Sequence, residues 1–329
     1  MSGVDKAAII WSITIVVIAM GIAFLSQDTS SLKSPSSSIH EKTEMFFTLQ
    51  GENSIGSLDG KKFEAGPNMT YISISSDGRL IFASSSASDT VFAYDKNGNN
   101  LASIQVGQTP KGVKINPEGT LVFVANEKSG SISVIETNSF GIIKEIPVGE
   151  IPHNIVFSHD GSMAFVTIQG GDSIGVIDVD ELKIIDFIPV EKMPHNLDVT
   201  PDDKYLFTAN IGTSDVAVID IEAKTVIKKI PVSAGHHGID VTPDGSRVYV
   251  SGIGSNLVNV IDADSLELIK TIPVGDGPHG IRTSQDGSLL YVGVTKTNEI
   301  VVINTESLEI EQIISVGEIP FWLALPNNP

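Results

Sequence analysis

The strongest constraint on the fold is a block of about 42 residues that recurs along the chain from residue 67 onward. Each block contains four short apolar segments separated by Gly, Asp and Asn, a pattern typical of strands and turns. A fixed period of this length with four strands per unit predicts a β-propeller in which each unit is one blade. The blocks start at Pro67, Pro110, Pro152, Pro194, His236, Pro278 and Pro320, spaced 43 residues once and 42 residues five times.

Each block predicts an antiparallel sheet of strands a, b, c and d. In the third block we place them at about Asn154–Ser158, Met163–Ile168, Ser173–Asp178 and Ile184–Val190. Lys and Pro recur along or near the end of strand d. Both residue types are tolerated on an edge strand that must not pair further, so strand d is predicted to be the outer edge of each blade.

The two ends of the repeat region complement each other. The last start, Pro320, is followed by a single strand, Phe321–Leu325, whereas Met45–Leu49, Ser54–Asp59 and Lys61–Ala65 resemble strands b, c and d without a strand a. We predict that these four strands form the last blade and close the ring. The fold class is therefore all-β: residues 44–329 form a seven-bladed propeller of four-stranded antiparallel blades, closed by pairing its C-terminal strand with its N-terminal strands.

The first 43 residues have a different character. Residues 7–25 are an uncharged run of nineteen, long enough to cross a bilayer as one transmembrane helix, and no clear cleavage site follows. We predict a retained membrane anchor or uncleaved signal; a cleaved signal peptide is the alternative. Lys6 in the short tail of residues 1–6 indicates that the N-terminus lies on the cytoplasmic side of the membrane. The Ser-rich residues 26–43 read as a flexible linker, which puts the propeller outside the cytoplasm at the cell membrane.

Charge and cysteine content exclude several functions. The formal net charge is −19, which argues against nucleic acid as a partner because phosphates need a basic face. The chain has no cysteine, so disulfides, thiolate metal sites and Cys nucleophiles are excluded. The expected partners are the membrane, through the N-terminal helix, and envelope proteins or a small ligand at the mouth of the central channel.

Candidate binding residues come from the position after each start. In an antiparallel blade, the d–a and b–c loops share one face, and the innermost strand a brings this position to the channel mouth. Its occupants are Asn68, Lys111, His153, His195, His237, His279 and Phe321. We predict that the four histidines, Lys111 and Asn68 bind a ligand there. Asn68 also begins an N-x-T sequon, whose glycosylation would crowd this face.

The same histidines suggest a metal site. Neutral imidazole is a common metal ligand, and Glu150, Glu191 and Asp276 lie close to the histidines in sequence. His153, His195, His237 and His279 with these carboxylates are therefore a candidate site for a transition metal such as Cu or Zn. The alternative interpretation is structural: a histidine repeated once per blade bonds to the backbone of its neighbour.

The opposite face carries Asp or Glu in most a–b and c–d turns, where Asp supports tight turns.

Several segments resemble the YVTN family of β-propeller repeats. They are Pro152–Ile155, Val218–Asp220, Thr242–Gly245 and Arg247–Val250, and the resemblance extends over residues 44–325. The resemblance implies a WD40-like propeller fold and an extracytoplasmic location. Propellers related to this family include surface-layer components and domains that hold haem or copper.

Three functions are compatible with these observations. The first is a non-catalytic binding or scaffold module that uses the histidine-bearing face. The second is a metal- or cofactor-dependent enzyme, such as a copper or haem oxidoreductase or a metal-assisted hydrolase, although no catalytic residue can be assigned. The third is a structural component of the cell envelope or surface layer.

Overall fold

The computed structural model describes residues 44–326, which form twenty-eight strands in seven four-stranded antiparallel sheets. The first strands are β1 (Phe46–Leu49), β2 (Ser54–Ser57) and β3 (Lys62–Glu64). Blade 1 contains β4 (Met69–Ile74), β5 (Leu80–Ser85), β6 (Thr90–Asp95) and β7 (Asn100–Gln105). Blade 2 contains β8 (Pro110–Ile115), β9 (Leu121–Asn126), β10 (Ser131–Glu136) and β11 (Ile142–Pro147). Blade 3 contains β12 (Pro152–Phe157), β13 (Met163–Ile168), β14 (Ser173–Asp178) and β15 (Lys183–Pro189), with a 3₁₀ turn at Gln169–Gly171.

The same order of strands continues to the C-terminus. Blade 4 contains β16 (Pro194–Val199), β17 (Tyr205–Asn210), β18 (Asp215–Asp220) and β19 (Thr225–Pro231). Blade 5 contains β20 (His236–Val241), β21 (Arg247–Gly252), β22 (Leu257–Asp262) and β23 (Glu267–Pro273). Blade 6 contains β24 (Pro278–Thr283), β25 (Leu289–Val294), β26 (Glu299–Asn304) and β27 (Glu309–Ser315). Blade 7 joins β28 (Pro320–Ala324) to β1, β2 and β3, in that order.

Blade 7 ties the two ends of the described chain together. Strand β28 pairs antiparallel with β1, with Phe46 opposite Ala324. This is the pairing expected from the sequence, and it gives the seven four-stranded blades that the repeat predicts. The predicted bounds of strands b and c in blade 3 agree with β13 and β14, whereas strand a begins at Pro152, two residues earlier than predicted.

The core lies between neighbouring blades. Strands b and c are almost wholly buried; in β13, for example, five of six residues are buried. Aromatic side chains interlock across the blades, as where the rings of Phe123 and Phe157 meet at 5.0 Å. Strand d is exposed, and Ile143 in β11 keeps 49% of its surface accessible. The alternating turns and the buried inner strands therefore produce a closed ring around a central channel.

A β-bulge near the start of strand a shapes the channel mouth. In blade 3, Pro152 faces Ile168 and Ile155 faces Val166, so strand a contains one extra residue. A register shift occurs at the corresponding place in every blade. Because a bulge re-aims the side chains beside it, the second and third residues of each strand a depart from simple alternation.

The strand register corrects the predicted start of the first block. Strand β4 begins at Met69, so the equivalent of His153 is Thr70 and the first spacing is 41 residues. Asn68 instead occupies the position immediately before strand a, with φ of 51°, a left-handed conformation that Asn tolerates. Its side-chain amide donates to Ser86 Oγ at 2.7 Å. Asn68 follows a proline as His153 does, but the strand register rather than the proline decides which residue enters the channel mouth.

The predicted tail of residues 1–6, anchor of residues 7–25 and linker of residues 26–43 lie outside the described residues. From residue 44 to residue 326, no helix is long and apolar enough to cross a membrane.

Candidate functional site

Four imidazoles form a continuous row at one end of the channel. His153, His195, His237 and His279 are the second residues of strand a in blades 3 to 6, and we call them the histidine row. Successive ring centroids lie 4.0, 4.3 and 4.6 Å apart, and the ring of Phe321 in blade 7 follows His279 at 3.8 Å. The structure thus brings together the four histidines that the sequence predicts at the channel mouth.

Glycine allows the inner strands to approach this closely. The residues after His237 and His279 are Gly238 and Gly280. A Cβ on Gly280 would lie 2.6 Å from the carbonyl oxygen of Phe321 in the next blade, a distance that no side chain tolerates. A Cβ on Gly238 would clash even more severely with the His279 carbonyl. The absent side chains let neighbouring strands pack with their imidazoles in contact.

A tyrosine closes the channel beneath the row. Tyr71, the third residue of strand a in blade 1, reaches across the channel, where its hydroxyl lies 2.9 Å from His153 Nε2 and donates to Asn196 Oδ1 at 3.1 Å. Asn196 Oδ1 also accepts from Asn154 Nδ2 at 2.6 Å. The Tyr71 ring packs against Trp322 with centroids 4.4 Å apart. Three blades therefore share one buried hydrogen-bond network centred on a single phenol.

The hydrogen bonds define the tautomers of two imidazoles. The amide of Asn196 is oriented by its Oδ1 contacts, so its Nδ2 donates to His195 Nδ1 at 2.9 Å, and His195 carries its proton on Nε2. His279 Nδ1 lies 2.9 Å from the Phe321 carbonyl oxygen, so it is the donor and Nε2 keeps its lone pair. Within residues 44–326, neither Nε2 atom has a hydrogen-bond partner. His195 and His279 therefore offer one N–H donor and one nitrogen acceptor, while His237 Nδ1 is buried without a hydrogen-bond partner among the described residues.

Burial keeps the row uncharged. Desolvation lowers the pKa of His195 and of His279 well below the usual value, and the neighbouring imidazoles lower both further. For His237, burial and the proximity of His153 lower the pKa to about 4. The pKa of His153 is lowered mainly by burial, an effect that Glu127 opposes. His195, His237 and His279 are accordingly neutral at pH 7.

The carboxylate beside the row is one that the sequence analysis missed. Glu127, just after β9, places Oε1 2.7 Å from His153 Nδ1 and Oε2 3.9 Å from the Lys111 ammonium. It comes from the blade preceding His153 and is 26 residues away, so sequence proximity does not reveal it. Its position in a polar b–c loop is the one signal that could have pointed to it.

The predicted metal site does not assemble. Glu191 pairs with Lys229, Asp276 pairs with Lys296 at 2.9 Å, and Glu150 is exposed, so none of the three orients an imidazole. Neighbouring imidazoles of the row contact one another at interplanar angles of 47°, 54° and 50°. In the part of the chain that the structure describes, no three His, Asp or Glu side chains are arranged to hold a metal ion. The residues present therefore do not fit the predicted Cu or Zn site.

A belt of charged side chains crosses the channel deeper in, which the sequence analysis also missed. The fifth residues of strand a include Lys114, Asp198, Asp240 and Arg282, which we call the charged belt. Arg282 Nη1 donates to Asp240 at 3.2 Å and lies over the Trp322 ring. The signal available in the sequence was the alternation of strand a, which places charged residues at inward positions of otherwise apolar strands.

The carboxylates of the belt join successive blades. Asp198 Oδ2 accepts from the Val241 N–H at 2.7 Å, and Asp240 Oδ2 accepts from the Thr283 N–H at 2.6 Å. Desolvation raises the pKa of Asp198, and it raises that of Asp240 to about 6. Burial and the Arg282 charge lower the pKa of Lys114 to about 7. The belt contains two acids and two bases and is close to electrical balance.

The acidic turns on the opposite face are held by local hydrogen bonds. Ser284 Oγ donates to Asp286 at 2.6 Å, and Thr242 Oγ1 donates to Asp244 at 2.6 Å. These bonds lower the pKa of both carboxyls, which stay charged at pH 7. The structural interpretation of these residues is thus supported, and together they leave this face strongly negative.

Comparisons with known sequences agree with the seven-bladed architecture. A family model described as Lactonase, 7-bladed beta-propeller matches residues 37–147 and 142–230, together more than half of the chain. A second model, described as YNCE-like beta-propeller, matches residues 196–325. No curated protein matches the chain significantly.

Solved structures show the same fold. Kuenenia stuttgartiensis hydrazine synthase superposes with a TM-score of 0.72 and 23% identity, covering 79% of this chain and 90% of that one. A functionally unknown protein from Desulfotomaculum acetoxidans gives a TM-score of 0.75 and 16% identity, covering 86% and 98%. Dihydro-heme d1 dehydrogenase NirN, solved in complex with DHE, gives 0.66 and 18%, covering 87% and 75%. Identities this low establish the propeller fold alone.

Proposed function

The chain belongs to the family described as Lactonase, 7-bladed beta-propeller, and we propose that it is a non-catalytic binding module whose ligand sits on the histidine row. The observation that carries this proposal is the pair of unpartnered Nε2 atoms on His195 and His279. One is a donor and the other an acceptor, on neutral rings beside the partly exposed Phe321 and His237. These groups suit a small, planar, uncharged ligand that both donates and accepts hydrogen bonds.

Lactone hydrolysis is the competing function that the family description suggests. It requires a base with a free nitrogen beside the substrate. His153 is the imidazole of the row that has a carboxylate partner, Glu127, but its other nitrogen already contacts the Tyr71 hydroxyl. That hydroxyl is buried, and burial raises its pKa far above the usual range, so Tyr71 is a poor nucleophile at neutral pH. His279 Nε2 has a free lone pair, but burial lowers the pKa of that imidazole well below its usual value, so it is a weak base. The contacts and burial of the row therefore favour binding over catalysis.

The binding proposal is tested by removing the ring nitrogens while keeping the rings. The equivalent residue in blade 7 is Phe321, so the repeat accommodates phenylalanine there, and His195→Phe with His279→Phe is the informative double variant. The probe is a panel of planar heteroaromatic amides such as nicotinamide, followed by ligand-observed NMR. We expect binding to the parent chain and its loss in the double variant. His159→Phe, which removes an imidazole from the opposite face, should bind as the parent does.

Two results would contradict this function. Unchanged probe binding in a folded double variant would remove the row from the ligand site. Turnover of simple lactones by the purified chain, lost in His153→Phe, would replace binding with hydrolysis.

We place the module outside the cytoplasm on the anchor predicted at residues 7–25. The support is the length of that uncharged run and the Ser-rich linker behind it. Deletion of residues 1–43 should move the protein from the membrane fraction to the soluble fraction, and protease added to intact cells should cut only the anchored form. Recovery of the full-length chain in the soluble fraction would count against the anchor.

A further inference from the structure

A cavity opens at the end of the channel opposite the histidine row. It has a volume of about 200 Å³ and lies among the final residues of strand a and the following turns in blades 3 to 7. A cavity of about 150 Å³ is enough to hold benzene, so this one takes a single small organic molecule. It lies on the acidic-turn face, and none of the histidine row lines it.

The walls of this cavity are largely apolar and its inner end is acidic. Val199, Val241, Pro243 and Leu325 contribute hydrocarbon surface. Asp198 of the charged belt also lines it. Asp198 accepts from the Val241 N–H, and the charges of Arg282 and Lys114, which line an inner cavity together with Asp198, favour its ionised form against the effect of burial. The cavity therefore presents a carboxylate at the inner end of an apolar pocket.

The charges around the entrance favour a cation. Asp202, Asp244 and Asp286 occupy exposed turns at this face, and their lowered pKa values keep them ionised. Arg282 does not line the cavity and is engaged with Asp240. Lys114 lines a separate inner cavity of about 10 Å³ rather than this one. An anion would meet the acidic rim first, and the described cavity wall has no lysine or arginine; its one imidazole, His159, is paired with Asp203.

We propose that this cavity binds a small organic ammonium ion, with Asp198 as its counter-ion and the Val199, Val241 and Leu325 side chains around its apolar part. The site is independent of the histidine row and lies at the opposite end of the channel. The ligand is a primary amine with a short hydrocarbon tail, because the pocket holds one small molecule and has a single inward carboxylate.

The test uses n-butylammonium, n-butanol and butyrate as probes of equal chain length on the full-length chain in non-ionic detergent. Titration calorimetry should detect binding of the amine and neither of the other two. Asp198→Asn keeps an acceptor for the Val241 N–H and should weaken amine binding about tenfold or more, since a charge-assisted contact is lost. Asp220→Asn, the same change in an outer turn of this face, should bind as the parent does.

A second measurement does not depend on any variant. Methyl NMR signals of Val199, Val241 and Leu325 should shift on addition of n-butylammonium, while those of Val113 and Ile155 on the inner strands of blades 2 and 3 should not. Equal binding of butanol or butyrate, unchanged amine affinity in folded Asp198→Asn, or no shift of the cavity methyls would overturn the proposal.

Discussion

The hydroxyl of Tyr71 in blade 1 donates a hydrogen bond to Asn196 Oδ1 in blade 4, 3.1 Å away across the central channel. The same hydroxyl lies 2.9 Å from His153 Nε2 in blade 3. Blades that touch only their neighbours at the rim are thus joined directly at the axis. This network sets the orientation of Asn196, which in turn sets the tautomer of His195.

Removal of this hydroxyl tests how much the network stabilises the ring. In Tyr71→Phe, His153 Nε2 would lose its partner in a buried site, and we expect the free energy of unfolding to fall by about 1–3 kcal/mol in urea denaturation. Tyr205→Phe is the control, because the Tyr205 ring is partly exposed and its hydroxyl interacts with the exposed Lys204 ammonium rather than with another blade. Equal stability of the two variants would show that the cross-channel bonds contribute nothing.

The buried imidazoles should make the protein acid-sensitive. The pKa of His237 falls from 6.5 to about 4 on folding, so between these pH values the unfolded chain binds more protons than the folded one. Stability from His237 is complete above pH 6.5 and declines as the pH falls towards 4. From pH 7 to pH 5 the loss should be about 1–2 kcal/mol.

His237→Gln isolates that contribution. The difference in unfolding free energy between pH 7 and pH 5 should be smaller in this variant by about the same 1–2 kcal/mol. Subtraction of the two profiles cancels opposing groups such as Asp240, whose pKa of about 6 stabilises the fold as pH falls. If the unfolding free energy of His237→Gln changed with pH as much as that of the parent, the lowered pKa of His237 would be contradicted.

The Arg282–Asp240 pair should be strongly coupled. Asp240 is fully buried and Arg282 nearly so, so Asp240→Asn removes the ion-pair partner of a buried guanidinium and should cost about 3–5 kcal/mol. Adding Arg282→Gln should cost much less than the two single changes together, as measured by a double-mutant cycle in urea. Asp178→Asn, at the half-exposed end of β14, should change stability by less than about 0.5 kcal/mol. Strict additivity of Asp240→Asn and Arg282→Gln would indicate that the pair is not an energetic unit.

Backbone strain precedes strand a in several blades. Ile151 adopts φ of 56° while exposing 43% of its surface, although a β-branched residue is disfavoured in the left-handed region. Asn tolerates this region and is present at the equivalent position, Asn68. Ile151→Asn should therefore raise the free energy of unfolding by about 1 kcal/mol in thermal or urea denaturation.

The matched control is Ile143→Asn, an equally exposed isoleucine in strand β11. Asn is unfavourable in a strand, so this change should be neutral or destabilising. A loss of stability in Ile151→Asn as large as in Ile143→Asn would mean that the left-handed geometry stores no recoverable strain.

The repeat made most of the architecture predictable, and particular residues show where prediction failed. Strands b and c of blade 3 were placed correctly because their apolar runs end at clear turn residues such as Gly161. Asn68 was assigned to the channel because a proline precedes it, as proline precedes His153. The bulge and the left-handed residue before strand a are backbone features. The amino-acid sequence alone therefore did not show that Thr70, rather than Asn68, is the equivalent of His153.

The candidate sites divide in the same way. His153, His195, His237 and His279 could be grouped from sequence because each occupies the same position of its own repeat. Glu127, Tyr71 and Asp198 could not, because their partners belong to other blades and no spacing relates them. The metal hypothesis was based on sequence spacing, which does not give the orientation of a ring, because that orientation depends on the strand packed beside it.

The amino-acid sequence by itself determined the number of blades, the strand order within each and the face on which the histidines lie. These features follow from the repeat period, which does not depend on how the side chains pack. Only the tertiary structure decided which side chains meet across the channel, which ring nitrogens lack a hydrogen-bond partner and where the charged belt lies. Those properties arise when seven strands converge on one axis, where distances of a few ångströms and the loss of water set the chemistry.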